Sequence, residues 1–169
     1  MSGVLVGVPG PLVLVGELNP YGGDPAFALY HLPRGASGDR LREHLGLEDA
    51  AYERLDKMNL CVGTWGVTRA RQRAGQVLRA YRTVVCLGAR VREAFGGPEF
   101  FAIARRGPER GQWRQTIASL PHPSGRNLLW NEPGARGRAR RLMMDIAPWL
   151  YPDGIPPSGD DDDRRELVG

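Results

Sequence analysis

The apolar run Leu12-Val13-Leu14-Val15 passes directly into Gly16-Glu17-Leu18-Asn19-Pro20-Tyr21-Gly22-Gly23-Asp24-Pro25. A short Val/Leu run bounded by turn formers reads as a buried strand. In an open α/β sheet, ligands bind just past the carboxyl ends of such strands. Gly22 and Gly23 let the backbone approach a ligand closely. Asp24-Pro25 has the form of a helix N-cap and first helical residue. The same pattern also describes an ordinary βα turn, so this stretch alone does not define a site.

The rest of the chain alternates strands with helices. Residues 12–16 form the first central strand. A short helix is expected over 25–30, ending before Pro33. Ser37 caps a helix carrying Leu41 and Leu45 and stopped by Gly46. A second short helix covers 49–55. A strand over 57–63 is interrupted by Asn59. Thr68 caps a helix over 69–81, and 83–88 is the clearest central strand. A helix over 89–95 closes at Gly96-Gly97. Residues 100–105 and 113–120 pair as a hairpin or strand pair. Asn131 caps a last helix, with Pro133 in its first turn, that runs to about Trp149. This alternation predicts an α/β fold with a mainly parallel sheet. Four polar loops then fall at strand carboxyl ends: 16–24, 59–64, 88 onward and 122–127.

With 169 residues the chain suits one domain with a proper core. Composition divides it into a folded body, 1–150, and an acidic tail, 151–169, rich in Pro, Gly and Asp and expected to be disordered. No apolar run approaches the ~20 residues of a membrane span, and Met1 to Gly10 lacks the positive charge of a secretory signal. Cys61 and Cys86 sit in apolar runs and read as buried thiols in a reducing compartment. Two cysteines and the scattered His31, His44 and His122 offer no metal site, and no cofactor is expected. The formal net charge is +4. Because Asp160 to Asp163 are acidic, the body is more basic than that sum, and nearly all of its positive charge is arginine. Arginine is the preferred partner for phosphate, which makes nucleic acid a candidate partner. A solvated arginine-rich surface would give the same count.

The phosphate-cradling GxxxxGK[ST] is absent, no GxGxxG follows the first strand, and no GxSxG is present. What remains is a loop histidine, His122, a strand-end asparagine, Asn59, and an acid/amide group, Glu17, Asn19 and Asp24. Such a set can position water and stabilise a developing anion, without a covalent nucleophile.

Gly16-Glu17-Leu18-Asn19-Pro20-Tyr21 together with His122-Pro123-Ser124 resembles the paired signature of the uracil-DNA glycosylase superfamily. Its members carry a first motif of the types G-Q-D-P-Y, G-E-x-P-G or G-I-N-P-G and a last motif H-P-S or N-P-S. A strand ending in Asn lies between them, matched here by Met58-Asn59-Leu60-Cys61. The segment 84–88 resembles the strand before the last motif.

The resemblance implies a three-layer sandwich with a mainly parallel four-stranded central sheet flanked by helices. It also implies a monomeric hydrolase that flips a uracil or C5-modified pyrimidine out of DNA and cuts its N-glycosidic bond with water. His122 would hydrogen-bond the leaving base, and Asn19 or Glu17 would position the water, with Asp24 a third candidate. Asn59 would read the pyrimidine edge, Tyr21 would wall off its C5 side, and Phe27 or Tyr30 would stack on the ring. Ser124, Gly125, Arg126 and Leu128 would meet DNA, with Arg126 or Leu128 as the wedge. Arg136 and Arg140, on the last helix, would grip flanking phosphates. Leu18 makes the first motif one residue longer than the family forms, and the continuation Gly125-Arg126-Asn127 is not the usual one. A cytoplasmic, nucleoid-associated protein acting in DNA repair, defence or modified-genome processing fits this reading. The alternatives are a nucleoside- or nucleotide-acting enzyme of the same fold and a non-catalytic nucleic-acid-binding module.

Overall fold

The computed structural model of the chain describes residues 12–19, 27–107 and 114–156, without the Asn19 side chain. Tyr21, Asp24, the start of the helix expected over 25–30, the hairpin turn near 110 and the acidic run lie outside the described residues.

The elements in chain order are β1 (Leu12–Asn19), α1 (Ser37–Leu45), α2 (Asp49–Glu53), β2 (Asp56–Val62), α3 (Val67–Ala80), β3 (Thr83–Leu87), α4 (Ala89–Phe95), β4 (Ala102–Arg106), β5 (Gln115–Leu120) and α5 (Ala135–Ile146). They form one sheet in the order β2-β1-β3-β5-β4. Four strands are parallel, with Gly16 level with Asn59, Val15 with Cys86 and Leu87 with Leu120. The sheet therefore has five strands where four were expected. The extra one is β4, the far arm of the expected strand pair, which runs antiparallel along the edge of β5.

The uninterrupted apolar runs exist because both faces of the sheet are covered. Successive side chains of a strand point to opposite faces. Leu12, Leu14, Val85, Leu87, Ala118 and Leu120 pack with Leu41, Leu45, Ala139 and Met143 of α1 and α5. Val13, Val15, Val84, Cys86 and Ile117 pack with Ala70, Ala74, Val77 of α3 and Val91, Phe95 of α4. The three layers are thus α1/α2/α5, sheet and α3/α4. Cys61 and Cys86 are buried free thiols, and burial pushes the Cys86 thiol up to about 12. Among the described residues no helix is long and apolar enough to cross a membrane.

The helices begin differently from expectation. Ser37 is the first residue of α1, and the cap position is Ala36, which has extended backbone and no side-chain cap. Gly66 takes that position in α3 rather than Thr68. Asn131 ends a 3-10 turn over Leu128–Asn131 that Asn127 caps through Leu129 N–H, and left-handed Gly134 starts α5. The stops at Gly46 and Gly96 are as expected, both left-handed. The folded body also runs past residue 150. Tyr151 is buried, with its hydroxyl donating to Leu45 O at 2.8 Å.

Arg140 is a tie within the fold rather than a surface phosphate contact. It is only 7 % exposed, and its guanidinium donates to Glu43 O, His44 O and Pro156 O at 3.1, 3.0 and 2.9 Å. Glu43 and His44 lie in the last turn of α1, whose carbonyls have no partner within the helix. Charge-assisted bonds of this kind contribute about 1.5–3 kcal/mol each, though their effects do not simply add. Arg140→Ala is expected to lower unfolding stability by about 2–4 kcal/mol. The exposed Arg141→Ala should stay within about 0.5 kcal/mol. Urea denaturation of the two variants checks this, and equal midpoints would contradict it.

Candidate functional site

β1 connects to β2 on one side through α1 and α2, whereas β3 connects toward β5 on the other side through α4. The two connections thus leave in opposite directions, which makes the carboxyl ends of β1 and β3 the switch point of the sheet, where a crevice is expected. Ligands of doubly wound sheets bind at this kind of switch point. Glu17 and Gly88 lie one residue beyond the row Asn59–Gly16–Leu87–Leu120, and His122 lies two beyond it. Asn59, Glu17, Gly88 and His122 thus share one edge of the sheet. The span from β2 to β5 is about 14 Å, three strand spacings.

Gly16 makes the floor. A Cβ there would fall on the Asn59 amide oxygen, Oδ1, and would lie 3.4 Å from Leu29 Cδ2. The bare backbone is what lets the Asn59 amide lie over β1. Leu29 has φ 54, a rare conformation for a branched side chain, and its carbonyl accepts the Tyr52 hydroxyl at 2.8 Å.

Gly88 makes the back wall. Its φ of 97 belongs to the glycine region, and an added Cβ would sit 3.2 Å from His122 Cβ. Its N–H donates to Leu120 O at 2.9 Å, carrying the β3–β5 ladder to the mouth of the crevice.

His122 is held at its ring and at its backbone. Nδ1 accepts the Ser124 N–H at 3.1 Å, and the His122 carbonyl accepts the Trp130 indole N–H at 3.1 Å. With Nδ1 occupied as an acceptor, the proton of the neutral ring belongs on Nε2. Burial pushes the His122 pKa below its usual 6.5, with Glu17 opposing that shift. Glu17 itself is gripped across the crevice by Arg90, Nη1 to Oε1 at 2.7 Å. Arg90 also lies 5.8 Å from the Trp65 ring centroid.

Of the expected set, Glu17, Asn59 and His122 stand at the same end of the sheet, and Glu17 is near enough to His122 to act on its charge. The Asn19 backbone ends β1 level with Val62. Phe27 is 61 % exposed and meets Tyr30 edge to face at 5.5 Å, and Tyr30 in turn lies against His31. Ser124 is half-buried, Gly125 and Arg126 are exposed, and Leu128 is 72 % exposed at the tip of the loop after His122. Arg136 is half-buried near the start of α5. The residues of the site that sequence reasoning missed are Arg90 and Leu29. Gly88 was legible only as the end of a strand. The four residues Phe101, Arg105, Arg138 and Leu142 help line a cavity of about 630 Å³ between β4 and α5, away from this crevice. Among the described residues no cluster of His, Cys, Asp or Glu could hold a metal.

Comparison of the sequence with protein-family models and with characterised proteins finds no match.

The His122 ring should therefore titrate below 6.5. Glu17→Gln removes the neighbour that raises it, so the midpoint should fall further. NMR titration of the His122 ring protons measures both, and an unchanged or higher midpoint in the variant would separate Glu17 from His122.

Proposed function

We propose that the protein is a monofunctional DNA glycosylase that flips a uracil or C5-modified pyrimidine out of DNA and hydrolyses its N-glycosidic bond. The proposal includes membership of the uracil-DNA glycosylase superfamily. What supports it is that Asn59, Glu17 and His122 stand at one end of the sheet, at its switch point, with the Asn59 amide over Gly16 and Glu17 near enough to His122 to act on its charge.

In this reading the extruded pyrimidine enters between β2 and β5. The Asn59 amide donates and accepts on the pyrimidine edge, since its NH₂ donates while its carbonyl oxygen accepts. As the bond between C1′ and N1 breaks, the base leaves with the electron pair and the sugar gains oxocarbenium character. The neutral His122 donates its Nε2 proton in a hydrogen bond to the base O2 as negative charge builds there. The preference for the neutral ring suits that donor role. Water adds to C1′ and loses its proton to Glu17 or to solvent. Arg90 holds Glu17 Oε1, so it orients the carboxylate and is a positioning residue. Asn19 and Asp24 remain the other candidates for holding the water. The partner is DNA, and the protein works as a monomer in the cytoplasm, associated with the nucleoid.

Oligonucleotides carrying uracil, mismatched thymine or 5-substituted pyrimidines, scored for abasic sites, test this directly. Base release is expected from at least one of them. His122→Ala and Asn59→Ala should each reduce it by about 10²–10³-fold with thermal stability retained. No release from any substrate, or wild-type rates in both variants, would overturn the reading.

A further inference from the structure

A cluster of arginines surrounds the loop that follows His122, and only part of it is used by the fold. Arg40, on α1, lies against the Ser124–Arg126 turn so closely that a Cβ at Gly125 would fall on its guanidinium Nη1. His44, one turn further along α1, stacks on Trp130 with ring centroids 4.3 Å apart. Trp130 in turn holds the His122 carbonyl. Burial and the positive charges of Arg136, Arg140 and Arg40 push the His44 pKa down to about 4. Arg40 precedes His44 by one turn of α1, Arg140 bonds the His44 carbonyl and Arg136 precedes Arg140 by one turn of α5, so three arginines stand around this ring. Arg140 is spent on backbone carbonyls. Arg40, Arg126 and Arg136 have no carboxylate partner among the described residues. Arg34, Arg90, Arg92 and Arg138 are each paired with a carboxylate, whereas the exposed Arg69, Arg73, Arg79 and Arg141, like Arg40, Arg126 and Arg136, have none among the described residues; the latter three differ in standing around one loop. Uncompensated guanidinium groups held together at low cost in acid partners are what a phosphate oxyanion recognises.

We propose that Arg40 and Arg136, with the Ser124–Arg126 turn, seat one phosphodiester of a DNA strand beside the base pocket. This rests on the DNA reading of the crevice and adds to it a residue from α1. Arg40 reaches the turn only because residue 125 lacks a side chain. The seat fixes the strand next to His122 and carries no sequence information. A free nucleotide would offer the same phosphate but not the flanking chain.

Binding of a short undamaged duplex, followed by fluorescence anisotropy over a range of salt, tests the seat without base release. Arg40→Gln is expected to weaken binding about tenfold near ~0.1 M salt and to make the slope of log K against log salt shallower by about 0.9. Gly125→Ala should act in the same direction by displacing the Arg40 side-chain end, with no further loss in the double variant. Arg73→Gln, on exposed α3 in the opposite layer, should change the slope little. An unchanged slope in Arg40→Gln, or an equal loss in Arg73→Gln, would overturn the seat, as would displacement of the duplex by a nucleoside monophosphate at comparable affinity. Should Arg40→Gln shift the slope while no substrate loses a base, the seat stands and the glycosylase reading falls. Base release with an unshifted slope gives the reverse.

Discussion

The parallel pairing of β1 on both sides is the constraint from which the candidate site follows. β2 lies along one edge of β1 and β3 along the other, in registers that set Gly16 beside Asn59 and Val15 beside Cys86. A slip of one residue in either ladder would turn the apolar side chains of β1 to the wrong layers. It would also carry Asn59 away from the bare backbone of Gly16. The register is held by side chains buried completely on both faces, Leu14 and Val15 among them. The site inherits that rigidity, because Glu17, Gly88 and His122 lie within two residues of the same strand ends.

Electrostatics divides the arginines by environment rather than by sequence position. On α5, Arg140 is buried against the end of α1, Arg138 pairs with Glu132 at 3.2 Å, and Arg136 is left near His44. At the crevice Arg90 spans to Glu17 at 2.7 Å. The two histidines at the loop after β5 both have the charged ring disfavoured by burial. Each folded-state pKa lies below the unfolded value of 6.5. Their contribution to stability is therefore present above that pH and is lost as pH falls, for His44 toward about 4. Neutral rings beside fixed guanidinium groups leave the positive potential available to an anion.

Central strands and helix stops were legible because each has a local cause. β1 and β3 are buried runs of Val, Leu and Cys, and Gly46 and Gly96 end helices by adopting left-handed backbone. The starts of α1, α3 and α5 were not legible. The chain enters them through Ala36, Gly66 and Gly134, where backbone geometry rather than a side-chain oxygen sets the first turn. β4 is half exposed at the sheet edge and ends in Arg105-Arg106, so its short pattern looks unlike a sheet core. Glu17, Asn59 and His122 stood out as polar residues at the ends of apolar runs. Arg90 and Arg40 did not, because one more arginine on an exposed helix face carries no local signal. Their roles come from long-range contacts, to Glu17 and to Gly125. The burial of Arg140 had a faint trace, since it lies one helical turn before the buried Met143.

The central claim is that one base is embraced by side chains from β2 and from the loop after β5. It is tested most directly by NMR titration with an oligonucleotide carrying a non-hydrolysable deoxyuridine analogue. The account predicts that the Asn59 side-chain amide and the His122 ring shift together along one isotherm. Shifts confined to the arginine cluster at saturation, or an Asn59 amide that stays still while His122 moves, would contradict it.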